Sequence, residues 1–172
     1  MPFIDMTANA LNDKEPQRVN NCLLHLTGID DGALFTLAVE SFPLPKVNMG
    51  IIELSHLNEK RKYAGNPVFE DLSVVLKDLI EVNVARSLTK WFQQTYDPAT
   101  GQIGYARDYK KSGYVEMLPP NGDTDLSRQY DLQGVWISAY DPGDADKAGE
   151  DFIRVNLTLT IDKATPSTNI AA

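Results

Sequence analysis

Two carboxylates stand side by side at Glu70-Asp71, inside the stretch "YAGNPVFEDLSVVLKD". A carboxylate pair can run general acid/base hydrolysis when both groups face one substrate. These two cannot, because "DLSVVLK" alternates apolar and polar residues and neighbours in a strand point to opposite faces. Glu70-Asp71 therefore reads as a solvated entry to a strand. The acidic loop "DPGDADKAGED", 141–151, has part of a calcium-loop pattern, with Asp144, Asp146 and Gly149 at the first, third and sixth positions. The fifth position is Ala148 and the twelfth is Val155, where oxygen donors are required, so the loop reads as an exposed acidic turn.

His25 and His56 are the only histidines and Cys22 the only cysteine, too few for a zinc site without carboxylate help. A nucleophilic Cys22 would need an exposed thiolate, yet it falls on the apolar face of "NNCLLHLT", where thiols pack. Lys60-Arg61-Lys62 and "YARDYKK", 105–111, interleave tyrosine with positive charge, a pattern that can hold single-stranded nucleic acid. Both clusters are short, and 16 basic against 24 acidic residues leave a net charge of −8, which repels phosphate. Surface ion pairs are the expected use. Asn156-Leu157-Thr158 matches the glycosylation sequon, but the start "MPFIDMTANALND" has no export signal to make it relevant. No phosphate-cradling glycine loop, nucleophile elbow or metalloprotease helix is present. The residues predict no enzyme, no cofactor and no metal.

The elements that would carry such residues are mostly strands. In "IRVNLTLTI", 153–161, Ile153, Val155, Leu157, Leu159 and Ile161 alternate with polar residues. "LFTLAVE" predicts a strand with Phe35, Leu37 and Val39 inward, and "NNCLLHLT" one with Cys22, Leu24 and Leu26 on its apolar face. Leu72, Val74 and Leu76 line one side of a third; "SGYVEML" and "YDLQGVWIS", the latter with Trp136, add two more. One segment keeps helical spacing: Val84, Leu88 and Trp91 form a stripe widened by Ala85 and Phe92, with Asp78 and Glu81 at capping-box spacing. Segments 97–111, 119–127 and 141–151 read as long loops. With no apolar run near membrane-spanning length, 172 residues predict one domain. The expectation is a mainly β subunit of two packed antiparallel sheets, barrel- or sandwich-like, with one flanking amphipathic helix and long loops.

The order of these pieces resembles the tail tube proteins of contractile-tailed bacteriophages. The features are the Pro-Leu-Pro turn in "SFPLPKVNMG", Tyr63-Ala64-Gly65, Phe69-Glu70-Asp71 leading into a strand, an Asp before the helix, "LQGVW", and a last strand closing in Asp162. The match spans roughly residues 20–163. It departs at Ile137, where the family often carries Pro after the tryptophan.

The resemblance implies hexameric rings stacked into the inner tube of a contractile tail, a conduit for genome delivery, with the open sheet edges satisfied by neighbouring copies. It implies a long inter-ring loop at 43–69; outside the matched span lie an N-terminal arm at 1–19 and a tail at 164–172, whose small polar residues predict flexibility. The candidate interface is Pro43, Pro45, Lys46, Glu59, Arg61, Tyr63, Gly65 and Phe69. The candidate core is Cys22, Leu24, Phe35, Leu37, Leu88, Trp91, Phe92, Trp136, Val155, Leu157 and Leu159. Implied partners are the protein itself, a sheath protein, a baseplate hub or tube initiator, tape-measure and tail terminator proteins, and DNA only in transit. A ring of six would carry six times −8, a formal −48, and if a good share of it lines the lumen, passing DNA slides instead of sticking. The rival readings are the tube of a type VI secretion system or tailocin, a monomeric ligand-binding barrel with Trp136, Tyr114 and Tyr130 around a pocket, and a hydrolase with dispersed carboxylates.

Overall fold

The computed structural model describes residues 17–30, 32–79, 84–119, 128–144 and 150–167. Among them the chain runs β1 (Cys22–Thr27), α1 (Gly32–Ala38), β2 (Val39–Ser41), β3 (Val47–His56), β4 (Glu59–Phe69), β5 (Leu72–Lys77) and α2 (Val84–Thr95). There follow β6 (Tyr96–Asp97), β7 (Gln102–Ile103), α3 (Ala106–Tyr109), β8 (Lys111–Met117), β9 (Arg128–Asp141), β10 (Arg154–Thr160) and β11 (Lys163–Pro166). The main sheet is antiparallel in the order β1-β8-β9-β10-β5-β2, with β11 also on β9. The fold is mainly β, a curled antiparallel sheet with few helices.

β9 makes the sheet curl. Its first half pairs with β8 and β11, and its second half with β10, so one strand belongs to both walls. The turning point is Gly134, at a positive φ of 67° and pressed against the Asp162 side chain, where an added Cβ would collide. The β8–β9 register slips there by one residue and the inward face changes phase: Leu132 is buried before the bulge, Val135 and Ile137 after it. This corrects the expectation for Trp136. Simple alternation puts it in the core, but the bulge turns it to the other side, where it is only half-buried and meets Tyr109 edge-on at 5.8 Å.

The core lies inside the curl. Val155, Leu157 and Leu159 of β10 pair directly with the β5 strand carrying Leu72, Val74 and Leu76, and all six are buried. Leu24, Leu26 and Val115 join from β1 and β8. α2 closes the curl with Val84, Leu88 and Trp91, buried at helical spacing, while Phe92 packs at the margin of the same core. The Trp91 indole N–H donates to the Tyr109 carbonyl at 2.7 Å, which ties α2 to α3. Glu81 of the expected capping box lies outside the described residues.

Several expectations are corrected. "LFTLAVE" is not a strand: Gly32–Ala38 is helical, so Phe35 and Ala38, three apart, are buried and Leu37 is 74% exposed. A short apolar run satisfies both periods, and Thr36 decides for the helix by donating its hydroxyl to the Leu24 carbonyl on the open side of β1. Cys22 sits half-buried at the rim of its face. Ile153 precedes β10 and is exposed. The 97–111 loop contains β6, β7 and α3, so α2 is not the only helix. Residues 164–166 of the expected tail belong to β11. Segment 43–69 is no loop for most of its length, as β3 and β4 form a regular hairpin.

Candidate assembly surface

The β3–β4 hairpin is a sheet of its own, a ribbon projecting from the curled body. Its register pairs Val47 with Phe69, Met49 with Pro67, Ile51 with Ala64, Ile52 with Tyr63 and His56 with Glu59. β4 carries one extra residue near Gly65 and Asn66. There Gly65 lies against the Gly50 backbone, so close that an added Cβ would sit 2.9 Å from the Gly50 carbonyl carbon. Gly65 is thus needed for the ribbon's own geometry.

Opposite residues of a pair share a face. One face shows Val47, Met49 and Ile51, then Glu53 with Lys60 and Lys62 bound to it at 3.6 and 3.7 Å. The other shows Ile52 and Tyr63, Leu54 and Arg61, and Val68. All the residues of β3 are exposed, and so are all those of β4 except Gly65 and Phe69. An uncovered two-stranded ribbon with apolar residues on both faces gains little burial by itself, which makes it the candidate contact surface.

The ribbon's base is held by Glu70. Its backbone N–H donates to the Lys46 carbonyl at 3.1 Å, its carboxylate accepts from the Asn48 amide at 2.6 Å, and the Lys46 ammonium stands 3.8 Å away. Phe69, half-buried, packs against the core just beside this clasp. Pro43 lines a shallow cleft of about 340 Å³ with Lys46, Glu70 and Asp71, and Pro45 lies within the same lead-in. So the structure brings Lys46 and Phe69 together at the base, places Tyr63 and Arg61 on one face, and puts Glu59 beside the tip. The sequence reading missed Met49, Ile51, Ile52, Leu54 and Val68. Their signal was the β-branched and apolar content of "VNMGIIEL", hidden by the glycine and proline around it.

A second surface feature is an open groove of about 620 Å³ between β1 and the α1–β2 corner. Val19, Cys22, Leu23, Leu37, Phe42 and Leu44 supply its apolar lining. Burial raises the Cys22 thiol above its ordinary pKa, away from nucleophilic use. Trp136, Tyr114 and Tyr130 do not share a pocket. Tyr130 packs against the core opposite Val115, whereas Tyr114 lies on the other face, stacked on His25 at 4.5 Å. Among the described residues no group of three or more His, Cys, Asp or Glu could hold a metal, and no helix is long and apolar enough to cross a membrane. Residues 145–149 of the calcium-like loop, which include Asp146, Ala148 and Gly149, lie outside the described residues.

No family model matches the chain, and no curated protein matches it by sequence. Solved structures do match by shape. One is a chain of the anti-feeding prophage cap, the tube-terminating cap, with 14% identity and a TM-score of 0.70 over 96% of this chain and 99% of that one. Another is a chain of the sheath–tube complex of an extracellular contractile injection system, with 13% identity and a TM-score of 0.68 over 94% and 97%. A third comes from the sheath/tube terminator of the same kind of system, with 13% identity and a TM-score of 0.69 over 91% and 99%. At such identities the likeness speaks for the fold, which is that of the tail tube proteins of contractile injection machines.

Proposed function

We propose that this chain is a structural subunit of the hollow tube inside a contractile sheath. Copies form six-membered rings that stack, and the ribbon links one ring to the next. The observation that carries this is the β3–β4 ribbon, which exposes apolar side chains on both faces and packs against the core through Phe69 at its base. The tube fold supports it, because the similar chains come from a sheath–tube complex and from tube-terminating assemblies. No catalytic role is needed. The sheath, a baseplate initiator, a tape-measure protein and a terminator are the expected partners, and the lumen carries the genome during delivery.

A second reading, the tube of a secretion system or tailocin that carries no genome, is favoured by one observation: the similar structures come from contractile injection systems. Electron microscopy across a concentration series, paired with sedimentation velocity, tests the common part. Six-membered rings or hollow tubes are expected. A subunit that stays monomeric at every concentration, even with a baseplate initiator supplied, would refute it.

A further inference from the structure

The ribbon's two faces differ in chemistry, yet both are apolar near the base, and a flat body surface can cover only one of them. Val47, Met49 and Ile51 point one way; Ile52, Leu54 and Val68 point the other. Ile51 and Ile52 are chain neighbours, 67% and 59% exposed, on opposite faces. Leaving either row in water forfeits its burial on assembly. We infer that each ribbon is gripped between two further copies of this chain, one on each face, so that every subunit staples two neighbours together. The inference rests on the tube reading and adds the number of partners per arm.

Charge supports copies of this chain as the occupants. From Val47 to Phe69 the ribbon has three cations, Lys60, Arg61 and Lys62, against Glu53 and Glu59, a net +1. The whole chain is −8, so the remainder is −9. An arm of net positive charge is attracted to the acidic bodies of other copies. The apolar rows on both faces favour a protein surface over a nucleic acid, whose contacts would be phosphates met by cations.

Adjacent single substitutions separate the faces. Ile51→Glu and Ile52→Glu each place a charge on one face of an exposed ribbon, so both variants should fold as the wild type does by circular dichroism. Each is expected to raise the concentration needed for assembly at least about tenfold. A double variant, Met49→Cys with Leu54→Cys in a Cys22→Ser background, then carries a photocrosslinker on both faces. It is doped sparsely into wild-type protein. Covalent three-chain products are expected.

If either glutamate variant assembles like the wild type, or only two-chain products form, the inference is wrong while the tube reading stands. A wild type that never assembles defeats the tube reading itself. A monomer that instead co-sediments with anionic lipid vesicles would assign the ribbon to a membrane surface and overturn the inference as well.

Discussion

Leu159 and Leu37 are the same residue type in opposite circumstances, and the contrast measures what burial is worth here. Leu159 is fully buried where β10 meets β5 and β9, and Leu37 projects from α1 into the open groove. Leu159→Ala should cost about 2–5 kcal/mol of unfolding free energy in urea titration. Leu37→Ala should stay within about 0.5 kcal/mol. Asp97 offers a residue-scale test of a different kind. The Ala99 N–H first, then the Thr100 hydroxyl, hold its carboxyl below the usual carboxylate range, at 2.9 and 2.8 Å. A depressed folded value means the contribution is complete above the unfolded value and is lost as pH falls through the folded one. Acid should therefore loosen the turn that ends at Gly101, read as movement of the Ala99 and Thr100 amide resonances on titration, with the midpoint below that of an unfolded aspartate.

At the scale of elements, the strands with strict alternation were the legible part of the sequence. β10 and β5 carry their apolar residues on one face with no bulge between them, so period two reads straight through their pairing. β9 was not legible in the same way. Its bulge at Gly134 depends on the approach of Asp162, 28 positions later by the numbering, and no local pattern reports a contact of that range. α1 escaped because seven residues fit a helix and a strand equally until Thr36 finds the β1 edge. The ribbon escaped because turn-forming residues, Pro43, Pro45, Gly50, Gly65 and Pro67, occur in and beside two long strands. Its independence can be tested by excision. Replacing residues 48–68 with Asn-Gly joins Val47 to Phe69, which already face each other, through a two-residue hairpin turn. The shortened chain should keep its thermal midpoint within a few degrees, about 4 °C or less, and form no tubes by electron microscopy.

For the whole molecule, charge separates arm from body. Lys60→Glu with Lys62→Glu exchanges two positive for two negative charges and takes the ribbon from +1 to −3. The change also leaves Glu53 without its two cations. Assembly of this variant should be slower and weaker at low ionic strength by light scattering. The deficit should shrink as added salt screens it, since exposed charges lose their reach beyond a Debye length of about 10 Å at 0.1 M. Equal assembly of both proteins at low salt would deny the charges any part in docking.

The passage of β9 through both walls has a mechanical meaning. In the proposed tube, a hollow shaft pushed through a barrier would be loaded end to end, and a subunit made of two separable sheets could yield by letting them slide apart. Here the strand of 14 residues is common to both, so the walls cannot part without breaking its own backbone pairing. The subunit should respond to force as one body. In native-state hydrogen exchange, amides of β8 and β10, on opposite sides of the Gly134 bend, should open in a single cooperative event of equal free energy. Separate openings for the two walls would reveal a joint at Gly134 where the structure shows a continuous beam.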